Sequence, residues 1–147
     1  GMDYRVVAPG ALHPDAALVA KAQSVAATTG GRVTVTDRIE DGVAGVHALY
    51  ADVWASMGEE DRIQERIDLL KPYKITQQMM DATGQQGAIF LHCLPSFHNT
   101  QTELAQQYPD IREVADEVFE GPHSRVFDEA ENRLHTIKAV MVATLAG

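Results

Sequence analysis

One stretch, Ala88-Ile89-Phe90-Leu91-His92-Cys93-Leu94-Pro95, limits what this chain can fold into more than any other. A continuous apolar run, entered from glycine and closed by proline, matches a strand buried on both faces of a parallel sheet. Its reactive groups, an imidazole and a thiol, arrive only at its carboxyl end. Open parallel sheets collect ligands at that end of their strands. Histidine and free cysteine also suit a packed core, so this stretch alone leaves both readings open.

The remainder of the 147 residues supplies one domain's worth of chain. That length can bury about two-thirds of its potential surface, enough for a real core. A formal charge of -9 argues against a general nucleic-acid or anionic-membrane surface, while leaving room for a local anion site. A single cysteine forms no internal disulfide and fits a reducing, cytoplasmic setting. No apolar run is long enough to span a membrane, and no basic-then-apolar leader opens the chain. Gly1 ahead of Met2 reads as a residue left by tag cleavage, with the natural chain starting at Met2.

In chain order, residues 4–8 form a first strand, followed by a loop punctuated by Pro9, Gly10 and Pro14. Residues 15–28 are alanine-rich and helical, stopped by Gly30 and Gly31. The β-branched alternation of 32–36 predicts a second strand. Asp37 is expected to cap a short helix through Val43, and Glu40 and Asp41 to solvate it. Residues 48–54 make a third strand, 55–60 a loop, and 61–70 a helix stopped by Pro72. Thr76 caps a short helix holding Met79 and Met80, and Gly84 and Gly87 turn the chain into the central strand. A helix near 102–107 is broken by Pro109, and 114–119 is mixed in character. The last element, 125–145, sets Phe127, Ala130, Leu134, Ile137, Met141 and Leu145 on one helical face. Glu129 and Arg133 are spaced to pair on it. Val140, Val142 and Ala143 widen that apolar stripe, which suits either a core helix or an interdomain or intersubunit one.

Strands alternating with helices predict an α/β fold: a three-layer, Rossmann-like, mostly parallel sheet flanked by helices. No Gly-x-Gly-x-x-Gly and no Gly-x-x-x-x-Gly-Lys-Ser/Thr loop is present, so nucleotide cofactors lose support. His13, His47 and His123 lack metal-ligand spacing, and neither a metal nor a cofactor is expected. Three places put polar groups at strand or helix ends. In Asp52-Val53-Trp54-Ala55-Ser56-Met57-Gly58, a carboxylate can meet an ammonium group, while Ser56 and the Met57 backbone can meet an amino acid's other end. The second is His92-Cys93-Leu94-Pro95. In the third, 128–136, Arg133 offers a planar fork suited to phosphate or a carbonyl oxygen. Each also has an ordinary reading as helix capping or ion pairing.

Asp52-Val53-Trp54-Ala55-Ser56-Met57-Gly58-Glu59, His92-Cys93-Leu94-Pro95 and the run from Phe127 to Ala139 together resemble the ornithine carbamoyltransferase family. The likeness is to its second, ornithine-binding half, and it runs from about Tyr4 to Leu145. The resemblance implies transfer of a carbamoyl group from carbamoyl phosphate to the δ-amine of ornithine, giving citrulline and phosphate. It implies that Asp52, Ser56 and Met57 hold the amino acid end of ornithine. Cys93 and Leu94 would then flank the reacting groups, the Leu94 carbonyl facing the carbamoyl amine, and Arg133 would contact carbamoyl phosphate. His92 would support the loop. Catalysis would rest on orientation and on stabilising developing oxygen charge, with Cys93 and Arg133 as the catalytic pair. An acylated Cys93 is the weaker reading, since no base accompanies it in sequence.

The family's first half carries a Ser-x-Arg-Thr-Arg phosphate loop and a His-Pro-x-Gln motif, and neither occurs in this chain. The strand with a Gly-Asp and Asn-rich turn that opens the family's second half is missing as well. Ser96-Phe97-His98-Asn99 stands where the family has Ala-Phe-His-Asp. Residues 2–147 are therefore expected to be an ornithine-binding domain without the carbamoyl-phosphate domain, its sheet lacking the usual first strand. The isolated chain is expected to be inactive. Ornithine or a related amino acid is its expected ligand, and carbamoyl phosphate binds only with a first domain. Homo-oligomers or a complementing domain are the expected partners. The alternatives are an amino-acid-binding or regulatory module, or a folded remnant without catalysis.

Overall fold

The computed structural model describes residues 1–55 and 58–145. Strand β1 (Asp3–Val7) leads through α1 (Ala16–Thr29) to β2 (Arg32–Thr36), with which it pairs in parallel. Local chemistry sets the limits of α1. The Asp15 carboxylate accepts from the Ala17 and Leu18 amides, and Gly30 closes the helix at φ 70°, a conformation costly for residues with a Cβ. Helix α2 (Ile39–Val43) then crosses to β3 (Ala48–Ala51). After it come α3 (Ile63–Leu70), α4 (Gln77–Ala82) and β4 (Ile89–His92), the last pairing with β3 in parallel. The chain ends in two short helices, α5 (Glu103–Gln107) and α6 (Asp116–Phe119), and the 20-residue α7 (Val126–Leu145).

The α/β class with parallel strands and flanking helices is as the sequence predicts. The sheet, however, is two parallel pairs, β1–β2 and β3–β4, with no ladder joining them. The third strand stops at Ala51, because its ladder ends where Ala51 meets His92. Asp52, Val53 and Trp54 are already loop. Asp37 does not cap α2. The helix begins later, behind Arg38, whose amide turns back onto Thr36 Oγ1. The Asp37 carbonyl instead accepts from the Tyr73 hydroxyl.

The core is uneven. One apolar cluster gathers Phe90, Val114, Val118, Phe119, Val126 and Met80 beneath β4. A second packs Trp54, Ile63, Ile67, Ala105 and Ile111 beside it. Before Gly42 no residue is buried. Gly42 itself is tightly placed: a Cβ there would collide with the Val7 side chain, which seats α2 on β1. Strand β4 is not buried equally on both faces. Phe90 and His92 are sealed, while Ile89 and Leu91 are half-buried, the period-2 signature of one core-facing side. Helix α7 buries only Val126, and its row of Leu134, Ile137, Met141 and Leu145 stands in solvent. The core-helix reading of α7 is thereby corrected: the apolar face is real, but nothing in the described chain covers it.

Candidate functional site

Because β3 and β4 are parallel neighbours, their carboxyl ends open onto one rim. Asp52 follows β3 and Cys93 follows β4. The Cys93 Sγ–H donates to Asp52 Oδ1 at 3.0 Å, joining two motifs that lie 41 residues apart in sequence. Asp52 Oδ1 also accepts from the Val53 amide at 2.8 Å, which fixes the carboxylate's direction.

The Cys93-Leu94 turn is held from below. Leu94 has φ 55°, in the left-handed region that costs a non-glycine residue about 1–3 kcal/mol unless its surroundings impose it. Its amide donates to His92 Nδ1 at 2.9 Å, which places the imidazole proton on Nε2. That nitrogen faces Glu113 Oε1 at 3.0 Å, in a close contact poorly aligned for a hydrogen bond. The same Oε1 accepts from the Ser96 hydroxyl and the Phe97 amide, both at 2.7 Å. Glu113 and His92 are each 1% exposed. A buried carboxylate thus ties both ends of the turn, and the backbone on either side of it is anchored by Ile75. His92 is a support, as the resemblance implies.

Helix α7 closes the other side of the rim. Glu129 Oε2 accepts from the His92 amide at 3.1 Å, and the same carboxylate acts on the Tyr50 phenol. The expected Glu129–Arg133 pair does not form, because Glu129 is drawn to β4 instead. Arg133 lies one turn further along the same helical face, about 6 Å of rise away and exposed, its guanidinium without a hydrogen bond or ion pair among the described residues. Asp52, Cys93 and Leu94 are therefore brought together directly, and Arg133 stands beyond them on the helix that touches His92. Ser56 and Met57 lie outside the described residues.

Tyr50 and Glu113 take part without having been singled out from sequence, and Glu129, read from sequence only as a partner for Arg133, joins them. Glu113 did leave a signal: a charged residue between apolar Ile111 and Val114-Ala115 needs a buried partner or an exit to water. Tyr50 left none, and the true partner of Glu129, the His92 amide, comes only from the fold.

The electrostatics bear on the chemistry. Burial pushes the Cys93 thiol up to about 11, and the Asp52 carboxylate beside it adds to the shift. Burial, then Glu129, pushes the Tyr50 phenol up to about 12. A thiol kept protonated is a donor and a packing group rather than a nucleophile, which disfavours an acylated cysteine. Both groups hold their protons more tightly folded than unfolded. Their contribution to stability is therefore complete below about pH 9 and is lost as pH rises toward 11 and 12. Iodoacetamide should modify Cys93 slowly at pH 8, with a midpoint near 11. In Asp52→Asn the midpoint should fall, and an unchanged pH profile would show that Asp52 does not govern the thiol.

A cavity of about 370 Å³ lies at the opposite, amino end of β4, between Met80, Gln85, Ala88 and His123. Among the described residues no cluster of histidine, cysteine or carboxylate side chains could hold a metal ion. No described helix is long and apolar enough to cross a membrane.

Comparison with known proteins places this rim in a family. Residues 1–144 match the model of the aspartate/ornithine carbamoyltransferase Asp/Orn-binding domain. A curated catabolic ornithine carbamoyltransferase from Streptococcus agalactiae is 54% identical over 151 aligned positions, covering 99% of this chain and 46% of the relative. The chain thus spans about half the length of that relative. Two solved ornithine carbamoyltransferases share the fold. The one from Pyrococcus furiosus has a TM-score of 0.84 at 32% identity, over 100% of this chain and 43% of its own. The one from Gloeobacter violaceus has 0.77 at 37%, over 97% and 42%. With the family match running through β1, the Asp52–Cys93 rim and nearly all of α7, this chain belongs to the aspartate/ornithine carbamoyltransferase family through its Asp/Orn-binding domain.

Proposed function

We propose that residues 2–147 form an ornithine-binding domain and carry one side of a carbamoyl-transfer site. Asp52, with Ser56 and Met57, holds the amino acid end of ornithine. Cys93 and Leu94 flank the δ-amine as it attacks the carbamoyl carbon of carbamoyl phosphate, releasing phosphate and giving citrulline. Arg133 meets the carbamoyl phosphate. The observation that supports this reading most is the Cys93–Asp52 hydrogen bond, which unites two of the three motifs on one strand-end rim. The raised thiol is consistent with a role in orientation, so no covalent enzyme intermediate is invoked.

The free Arg133 fork suits half of a site. Carbamoyl phosphate carries a charge that several fixed donors must share, and the rim presents one such cation. The chain accordingly works with a complementing phosphate-binding domain, in a cytoplasmic setting, and self-association through the exposed face of α7 accompanies it. Calorimetry should detect L-ornithine binding to the chain, weakened at least tenfold by Asp52→Asn. An absence of binding, or equal binding by the variant, would overturn the ornithine reading. The pure chain should form no citrulline from ornithine and carbamoyl phosphate. Turnover that disappears in Arg133→Ala would instead show that it needs no second lobe.

A further inference from the structure

The chain keeps its lysines in water with one exception. Lys21, Lys71 and Lys138 are exposed, whereas Lys74 is half-buried. It follows the tight turn Lys71–Tyr73, and its amide closes that turn on the Lys71 carbonyl at 3.3 Å. The next residue, Ile75, is buried and tied on both sides. Its amide donates to the Glu113 carbonyl, and its own carbonyl accepts from the Ala115 amide. Lys74 is thereby fixed beside the segment that runs from Arg112 to Val114.

Charged groups gather there from two stretches of chain. Lys71 Nζ donates to Asp110 Oδ2 at 2.7 Å, and Arg112 and Lys74 act on the same carboxylate. Arg112 spends its Nε on the Pro109 carbonyl at 2.8 Å. Its outer guanidinium nitrogens have no partner among the described residues. Arg112 faces Lys74 as a second cation, while Glu117, Asp110 and Glu113 face it as carboxylates. None of the three meets Lys74 Nζ in a hydrogen bond or ion pair among the described residues. Asp110 is held by Lys71, and Glu113 receives Ser96 and Phe97. A half-desolvated ammonium beside a like charge favours its neutral form. Burial first, then Arg112, hold the Lys74 amine below the usual lysine range, against the pull of the three carboxylates.

We propose that Lys74 is a site of acylation by acyl phosphates, with the Arg112 guanidinium receiving the phosphate group. A neutral lysine amine is a nucleophile, and a guanidinium fork with free outer donors matches phosphate oxygens. The ammonium first gives one proton to solvent. The Nζ lone pair then attacks the acyl carbon, and the bond from that carbon to the bridging oxygen breaks. Phosphate departs with that oxygen and takes the second proton from nitrogen. The third proton stays on the new amide. No oxidant or further reactant is needed. The inference is independent of the ornithine reading, since Lys74 and Arg112 take no part in the Asp52–Cys93 rim.

The probe is acetyl phosphate at millimolar concentration and pH 8, with the acetylated lysines quantified by mass spectrometry. N-acetylimidazole, which carries no phosphate, is the control donor. With acetyl phosphate, Lys74 should react at least about fivefold faster than Lys21 or Lys138. Arg112→Gln should slow Lys74 more with acetyl phosphate than with N-acetylimidazole. Glu117→Gln, at an exposed position on α6, removes a carboxylate that favours the ammonium and should speed Lys74 with both donors. In the unaltered chain, added inorganic phosphate should slow acetyl phosphate at Lys74 and spare Lys21. The proposal is overturned if Lys74 reacts no faster than Lys21, or if inorganic phosphate does not compete. It is equally overturned if Arg112→Gln affects the two donors alike, or if Glu117→Gln slows Lys74.

Discussion

Glu113→Ala is expected to lower the unfolding free energy by about 3–5 kcal/mol, the sum for two or three buried donors left without an acceptor. The size follows from what is left behind. Glu113 Oε1 receives the Ser96 hydroxyl and the Phe97 amide and faces His92 Nε2, all at 3.0 Å or less. Alanine would strand these donors in a site that is 1% exposed, each at about 1–3 kcal/mol where no water can enter. Glu113→Gln keeps an acceptor at the Oε1 position. Its new amide nitrogen would take the place of Oε2, which is buried and unpartnered, so a loss of about 1–3 kcal/mol is expected. Urea unfolding at pH 7 measures both. A second reading comes from Cys93, whose alkylation at pH 8 should accelerate once the turn is released. A loss under 1 kcal/mol for the alanine variant, with unchanged alkylation, would show that Glu113 does not hold the turn.

Phe90→Ala should be as severe, at about 3–5 kcal/mol, through a cavity at the centre of the larger core. Phe90 is fully buried and meets Phe119 edge-on at 6.5 Å between ring centres. Its backbone also carries the bonds to His123 and Arg125 that seal the β4 edge, so the surrounding chain is poorly placed to collapse into the void. Leu134→Ala makes the useful contrast. Leu134 is also a large apolar residue but is 66% exposed on α7, and its removal should move stability by no more than about 0.5 kcal/mol. Comparable losses for the two variants would mean that α7 packs against the body in solution.

Sequence and structure agree where the controlling physics acts over a few residues. Thr76 caps its helix as read, and the helices expected from 15 and near 102 begin one residue later, behind Asp15 and Thr102 caps that bond amides two or three residues on. Gly30 stops α1 by adopting a backbone conformation that side chains disfavour. The apolar run at 88–91 becomes a strand, and the polar groups at its end reach the rim, because side-chain alternation and strand direction are local properties too. The motif resemblance likewise pointed to the family that the comparisons establish.

Other features depended on partners that are distant in the chain. Ala51 ends β3 because its ladder runs only as far as His92, not because of anything in 52–54. Glu129 bonds the His92 amide instead of Arg133 four residues away, because β4 lies against that turn of α7. The split of the sheet into two pairs, the burial of Glu113 beneath a turn 16 residues earlier, and the exposure of an entire apolar helix face all have one origin. Residue type and spacing decide which segments are helix, strand or turn, since those preferences are paid within a few bonds. Which strand edge is satisfied, which carboxylate is buried and which apolar face finds a cover are settled only when the chain closes on itself.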